Sequence, residues 1–97
     1  MSAESKNILF ILTDQQRMDS LGVYDAELAN TPALDRLAQR GVRFSQAYTP
    51  CTVCSPARAS LFSGLYPHQH QVTRNGGVYK RELSNIAQAL IRADYRL

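Results

Sequence analysis

An α/β fold is what this sequence predicts, on three observations: a strand-length apolar run at 8–12, an amphipathic helix pattern behind Thr31-Pro32, and an alternating segment at 42–47. Strand, helix and strand in that order make a parallel unit with a right-handed crossover. At 97 residues and 44% hydrophobic, the chain has the size and composition of an ordinary globular unit, which excludes disordered and fibrous classes.

Ile8, Leu9, Phe10, Ile11 and Leu12 are continuously apolar, as a strand buried on both faces of a parallel sheet would be. The run ends in Thr13-Asp14-Gln15-Gln16-Arg17, a polar cluster at a strand's carboxyl end, where open α/β sheets gather ligands. Thr31 is placed to cap a helix with Pro32 at its first position; Leu34, Leu37 and Ala38 form its apolar stripe and Gly41 stops it. The alternation over 42–47 predicts the second strand, and Thr49-Pro50 marks a loop. Pro56 can open a further helix that runs to about Ser63 and closes at Gly64, so both Cys51 and Cys54 would precede it. Segment 66–80 has no sustained period and reads as a long loop. Leu83, Ile86, Ala87, Leu90 and Ile91 then share one helix face, capped by Ser84 or its neighbour. Two strands and several amphipathic helices leave apolar surface without a partner layer, so a larger sheet is expected around them.

The net charge is +3, but the eleven Lys and Arg are scattered and match no nucleic-acid-binding pattern, so no nucleic-acid partner is expected. The run 8–12 is too short for a signal-peptide core or a membrane span; the chain is expected to be cytoplasmic, with no membrane partner. A Cys-x-x-Cys pair in such a setting is redox, metal-binding or catalytic before it is a structural disulfide.

The strongest chemical signal is Cys54-Ser55-Pro56-Ala57-Arg58. A thiol beside a helix start meets free backbone N–H groups and the positive end of the helix dipole, both of which favour an anion. Arg58, four residues on, falls on the same side of the first turn and can hold an oxyanion with two parallel hydrogen bonds. In this glycine-flanked stretch Asn75 reads as a turn former. His68 and His70 are read as surface polar groups outside the site, and Cys51 as a small loop residue without a role.

The stretch from Cys54 to Gly64 resembles the signature of the sulfatase family: Cys or Ser, any residue, Pro, any residue, Arg, then an apolar pair and a Gly. The likeness extends to 7–14, to Thr31 through Ala38 with Gly41 through Phe44, to Leu65-Tyr66-Pro67-His68 and to 86–90. It implies an alkaline-phosphatase-like, mostly parallel sheet flanked by helices, of which residues 1–97 would be the N-terminal segment. It also implies a hydrolase of sulfate esters, arylsulfatase-like, acting on small molecules. Cys54 would be oxidised by a formylglycine-generating or related maturation enzyme; one hydroxyl of the formylglycine hydrate attacks and the other expels the sulfate. Asp14, Gln15 and the residue at 54 would be metal ligands, with calcium the natural choice for carboxylate and amide oxygens. Asn75 would contact substrate. The family's later lysine, histidine and remaining metal ligands would lie beyond Leu97, so these 97 residues alone are expected to be inactive.

Two departures matter. Many family members carry a second acid where this chain has Gln15, and glutamine there also occurs in relatives that cleave phosphonate monoesters and phosphodiesters. Asp94 stands at the usual glycine of the last helix end, where Asp can still adopt a left-handed turn. Two readings from other classes remain to be weighed. A thioredoxin-like redox module would use the Cys-x-x-Cys pair, but its first cysteine would cap the helix and push Pro56 into the interior, at about 3 kcal/mol. A zinc module built on Cys51, Cys54, His68 and His70 lacks the usual spacing between its histidines.

Overall fold

The computed structural model describes residues 6–24, 27 and 29–97. They fall into two compact units, Met1–Ser45 and Gln46–Leu97.

In the first unit, short 3-10 turns at Met18–Ser20 and Gly22–Tyr24 lead to helix α1, Pro32–Arg40. Thr31 occupies the N-cap with Pro32 directly after it. Its hydroxyl makes no cap bond to the helix backbone; instead Oγ1 accepts from the Gly22 N–H at 2.9 Å and donates to the Asp35 side chain at 3.1 Å, linking the preceding loop to α1. Gly22 leaves room for this contact, since a Cβ at that position would lie 3.0 Å from the Asp35 carboxylate. Arg43 and Tyr24 close the unit. The Arg43 guanidinium donates to the Val23 carbonyl at 2.6 Å and lies 5.1 Å from the Tyr24 ring centroid, while the Tyr24 hydroxyl donates to the Phe44 carbonyl at 2.9 Å.

The two predicted strands are not formed: 8–12 and 42–47 carry no strand, nor does any other described residue. The reason lies in what a strand requires. A helix satisfies its own backbone, whereas a strand's N–H and C=O groups are paired only by a neighbour in register. Neither segment lies along such a neighbour, and a two-stranded sheet without a covering layer is marginal in water. The apolar side chains are accordingly exposed, Ile8 by 62% and Leu9 by 85%.

The second unit contains α2 (Cys54–Ser63), α3 (Pro67–His70) and α4 (Ile86–Arg92), with α2 packed against both others. Helix α2 begins two residues earlier than predicted, so Cys54 is its first residue and only Cys51 stands clear of it. Pro56 is compatible with this. The first intrahelical bond runs from Ala57 N–H to the Val53 carbonyl, 3.0 Å, and no N–H is required before it. Gly64 ends the helix with φ +73°, its N–H donating to the Ser60 carbonyl at 2.8 Å.

Within the expected loop 66–80 the structure has a helical turn, α3, opened by Pro67 and held by the Gln69 side chain, which accepts from the Tyr66 N–H at 2.9 Å. One turn is too short for a period to show in sequence. Helix α4 is capped by Asn85, whose side chain accepts from the Gln88 N–H at 3.0 Å. At its end Asp94 has φ +66°, with Tyr95 N–H donating to the Leu90 carbonyl and Asp94 N–H to the Ile91 carbonyl. That is a Schellman motif with aspartate in the glycine position. Among the described residues, no helix is long and apolar enough to cross a membrane.

Candidate active site

The start of α2 and the turn at 74–77 form one hydrogen-bonded cluster. Two donors meet the side-chain oxygen of Asn75: the Cys54 Sγ–H at 3.2 Å and the Ser55 N–H at 3.0 Å. Asn75 therefore satisfies one of the orphan donors of α2's first turn, from twenty residues away in sequence. Pro56 has no N–H to satisfy. The turn that presents Asn75 is closed by Gly77 N–H donating to the Arg74 carbonyl at 3.1 Å, with φ +76° at Gly76, the sign its third position needs in a type II turn. Gly77 lies against the buried Val72, where a Cβ would approach Val72 Cγ1 to 3.1 Å.

Cys54 is exposed and, like the half-buried Cys51, is a free thiol. Arg58 is exposed one turn along α2 and lines an open cavity of about 460 Å³ with Ser55, Ala59, Phe62, Val72 and Tyr79. A polar helix start thus borders a largely apolar hollow. An anionic group has backbone dipole and guanidinium on one side, and an attached apolar group has Phe62, Val72 and Tyr79 on the other.

A profile described as Sulfatase matches residues 6–97, nearly the whole chain. The chain belongs to the sulfatase family. Among curated relatives, an uncharacterized sulfatase, YidJ, of Escherichia coli is 38% identical over 92% of this chain and 18% of its own length. The arylsulfatase of Clostridium perfringens is 38% identical over 92% of this chain and 19% of its own. A multifunctional alkaline phosphatase superfamily protein, PehA, of Trinickia caryophylli is 38% identical over 93% of this chain and 18% of its own. The chain therefore spans about a fifth of the length of these sulfatase-family relatives. No solved structure matches it.

Of the residues singled out in the sequence, Cys54, Asn75 and Arg58 belong to the second unit, and the first two touch. Asp14 and Gln15 belong to the first. Asp14 is exposed at a bend directly after the apolar run, and Gln15 follows with φ +52°, a left-handed conformation uncommon for a side chain of its type. Both residues are exposed, and a carboxylate and an amide oxygen are hard donors of the kind a divalent cation such as calcium takes.

The histidines differ from expectation. His68 is exposed and stacks on Tyr66, with ring centroids 5.9 Å apart. His70 is wholly buried rather than a surface group: Nδ1 accepts from the Val72 N–H at 3.1 Å, and the Ser60 hydroxyl lies 2.9 Å from Nε2. The spacing carries a signal in retrospect, since residues two apart on a helical turn cannot face the same way. With both nitrogens of His70 engaged in this way, it does not join a Cys51, Cys54, His68 zinc set. Among the described residues no three His, Cys, Asp or Glu side chains gather as a metal cluster.

Proposed function

We propose that the protein hydrolyses sulfate esters, with residue 54 as nucleophile and the start of α2 as the anion cradle. The observation that carries this is the junction of Cys54, Ser55 and Asn75 at the first turn of α2, with Arg58 one turn further on.

The residues divide the work by chemistry. The first turn of α2 attracts a tetrahedral anion through the positive end of its dipole. Arg58 offers a planar fork of donors that matches two oxygens of a sulfate, a contact lysine cannot copy. Asn75 fixes residue 54 against the helix start, and its amide nitrogen, not engaged by either donor, is left to meet substrate oxygens. Oxidised to formylglycine by a maturation enzyme, position 54 supplies an aldehyde hydrate as the attacking group, splitting one difficult hydrolysis into two steps. A divalent metal, calcium on the chemistry of its donors, would be held by Asp14, Gln15 and residue 54 and would supply Lewis-acid polarisation of the ester oxygens.

Peptide mapping after expression with the maturation enzyme tests the reading: position 54 should carry a carbonyl-reactive aldehyde while Cys51 stays a thiol, and Cys54→Ala should eliminate hydrolysis of an aryl sulfate. Full esterase activity in the alanine variant would overturn it, because alanine offers no nucleophile.

A second reading within the same chemistry, hydrolysis of phosphonate monoesters or phosphodiesters, is favoured by Gln15 in place of a second acid. Those substrates bring the same charged tetrahedral oxygens to the helix start, so comparing aryl sulfate with aryl phosphonate turnover separates the two.

A further inference from the structure

Two of the second unit's four buried residues are polar, Ser60 and His70, and they are joined to each other. No buried polar side-chain atom among the described residues lacks a partner, so this pair is a built feature and not a packing accident. Its position is informative. Ser60 sits on α2, two turns after Cys54, and His70 is the last residue of α3.

On its other side His70 bonds not to α3 but to the chain beyond it. The Val72 N–H donates to Nδ1, which leaves Nε2 as the protonated nitrogen facing Ser60 Oγ. That bond spans Gln71, a non-glycine residue held at φ +62°. A left-handed conformation is disfavoured for a residue with a side chain, and here the Gln71 N–H bond to the Pro67 carbonyl on one side and the His70 ring bridging to residue 72 on the other hold it. The reversal turns Val72 inward, to 2% exposure, and Gly77 packs on Val72 at the base of the turn that carries Asn75.

The path is closed. From α2 it runs through Ser60, His70, Val72 and the 74–77 turn to Asn75, and returns to α2 at Cys54 and Ser55. We propose that His70 is a positioning residue for the nucleophile: it clamps segment 70–77 onto α2 so that Asn75 reaches the helix start and holds residue 54. The proposal rests on the reading of residue 54 as the reacting group, but its test does not need turnover.

The full-length protein, expressed without the maturation enzyme so that residue 54 stays a thiol, is treated with iodoacetamide and modification at position 54 is followed by peptide mass. Asn75 Oδ1 accepts the thiol hydrogen and holds the sulfur against the helix start, so losing that contact should free the sulfur for attack on the reagent and speed the reaction. Loss of one ordinary hydrogen bond corresponds to about fivefold. His70→Ala and Asn75→Ala should each give that acceleration, and the double variant should react no faster than Asn75→Ala alone, because both remove one contact. His70→Asn keeps an acceptor where Nδ1 lies but cannot reach Ser60, and His70→Gln can reach Ser60 but loses the acceptor for Val72, so each breaks one side of the clamp and should react faster than the parent.

A histidine that merely stabilises the unit would lower the melting temperature and leave alkylation at position 54 unchanged in folded protein, and that result overturns the proposal. Should His70→Ala fail to fold, parent rates in both the Asn and the Gln variants overturn it just as well. Absence of sulfate-ester hydrolysis alongside the expected alkylation pattern would instead sink the function proposed above and leave this role of His70 standing.

Discussion

The two units differ in where their residues find partners. In the second, Pro56, Ser60, His70 and Val72 are buried and the functional cluster is tied together by hydrogen bonds spanning two to twenty-one residues. In the first, no described residue is buried, and the most apolar segment of the sequence, 8–12, is exposed. Apolar content alone does not make a core. A helix with a capped start and a side-chain clamp is defined by residues close to it in the chain, whereas a strand is defined by what lies beside it. The second unit therefore positions its own hydrogen-bonded cluster, whereas in the first no described residue is buried by its neighbours.

The largest effects should sharpen that division. In the proposed enzyme Asp14→Ala should reduce bound divalent metal and lower turnover by on the order of 10²-fold or more. Arg58→Lys should cost on the order of 10²–10³ in kcat, the range for removing one preorganised donor, with metal content intact. Unchanged metal content and turnover in Asp14→Ala would break the comparison, because the first unit would then supply no ligand; metal analysis and kinetics decide.

A middle-sized effect concerns the frame of the second unit. Asn85→Ala removes the cap that accepts from Gln88 and should destabilise the protein by about 1 kcal/mol, read from denaturant unfolding. An unchanged midpoint would mean that packing of α4 on α2, not its cap, sets the helix start.

The smallest concerns two of the left-handed residues that are not glycine, Gln71 and Asp94. Asp94→Gly relieves a helix-end conformation that glycine adopts freely and should stabilise by a few tenths to about 1 kcal/mol. Gln71→Gly should gain no more than that, since glycine also enlarges the unfolded ensemble. A gain at Asp94 but none at Gln71 would indicate that the His70 bridge already offsets the local strain.

Much of this was legible in the sequence wherever the signal was local. Thr31-Pro32 and Gly41 bound α1, Gly64 closes α2 with the left-handed turn expected of it, and Asp94 takes the conformation that its place at a helix end requires. The start of α2 was misjudged by two residues because proline was taken as its first position, although any place before the first intrahelical bond tolerates it. The turn Pro67–His70 was too short to display a period. The strands failed for a different reason: alternation and apolar runs report which faces want burial, and cannot say whether a ladder partner is present. His70 was hidden because nothing in a His-x-His pair tells which ring turns inward.

Asn75 carries one last consequence, which concerns polarity. A carboxamide has an accepting end and a donating end, and at ordinary detail the two look alike. Here the choice is forced, since both the Cys54 thiol and the Ser55 amide are donors and require the oxygen. The amino end is thereby committed outward, and whatever meets Asn75 meets donors. Sulfate or phosphonate oxygens are welcome there, while an ammonium approaching the same edge would leave two like-facing donors opposed. A single side chain, oriented by the helix it caps, sorts visiting groups by the sense of their hydrogen bonds before any charge is counted.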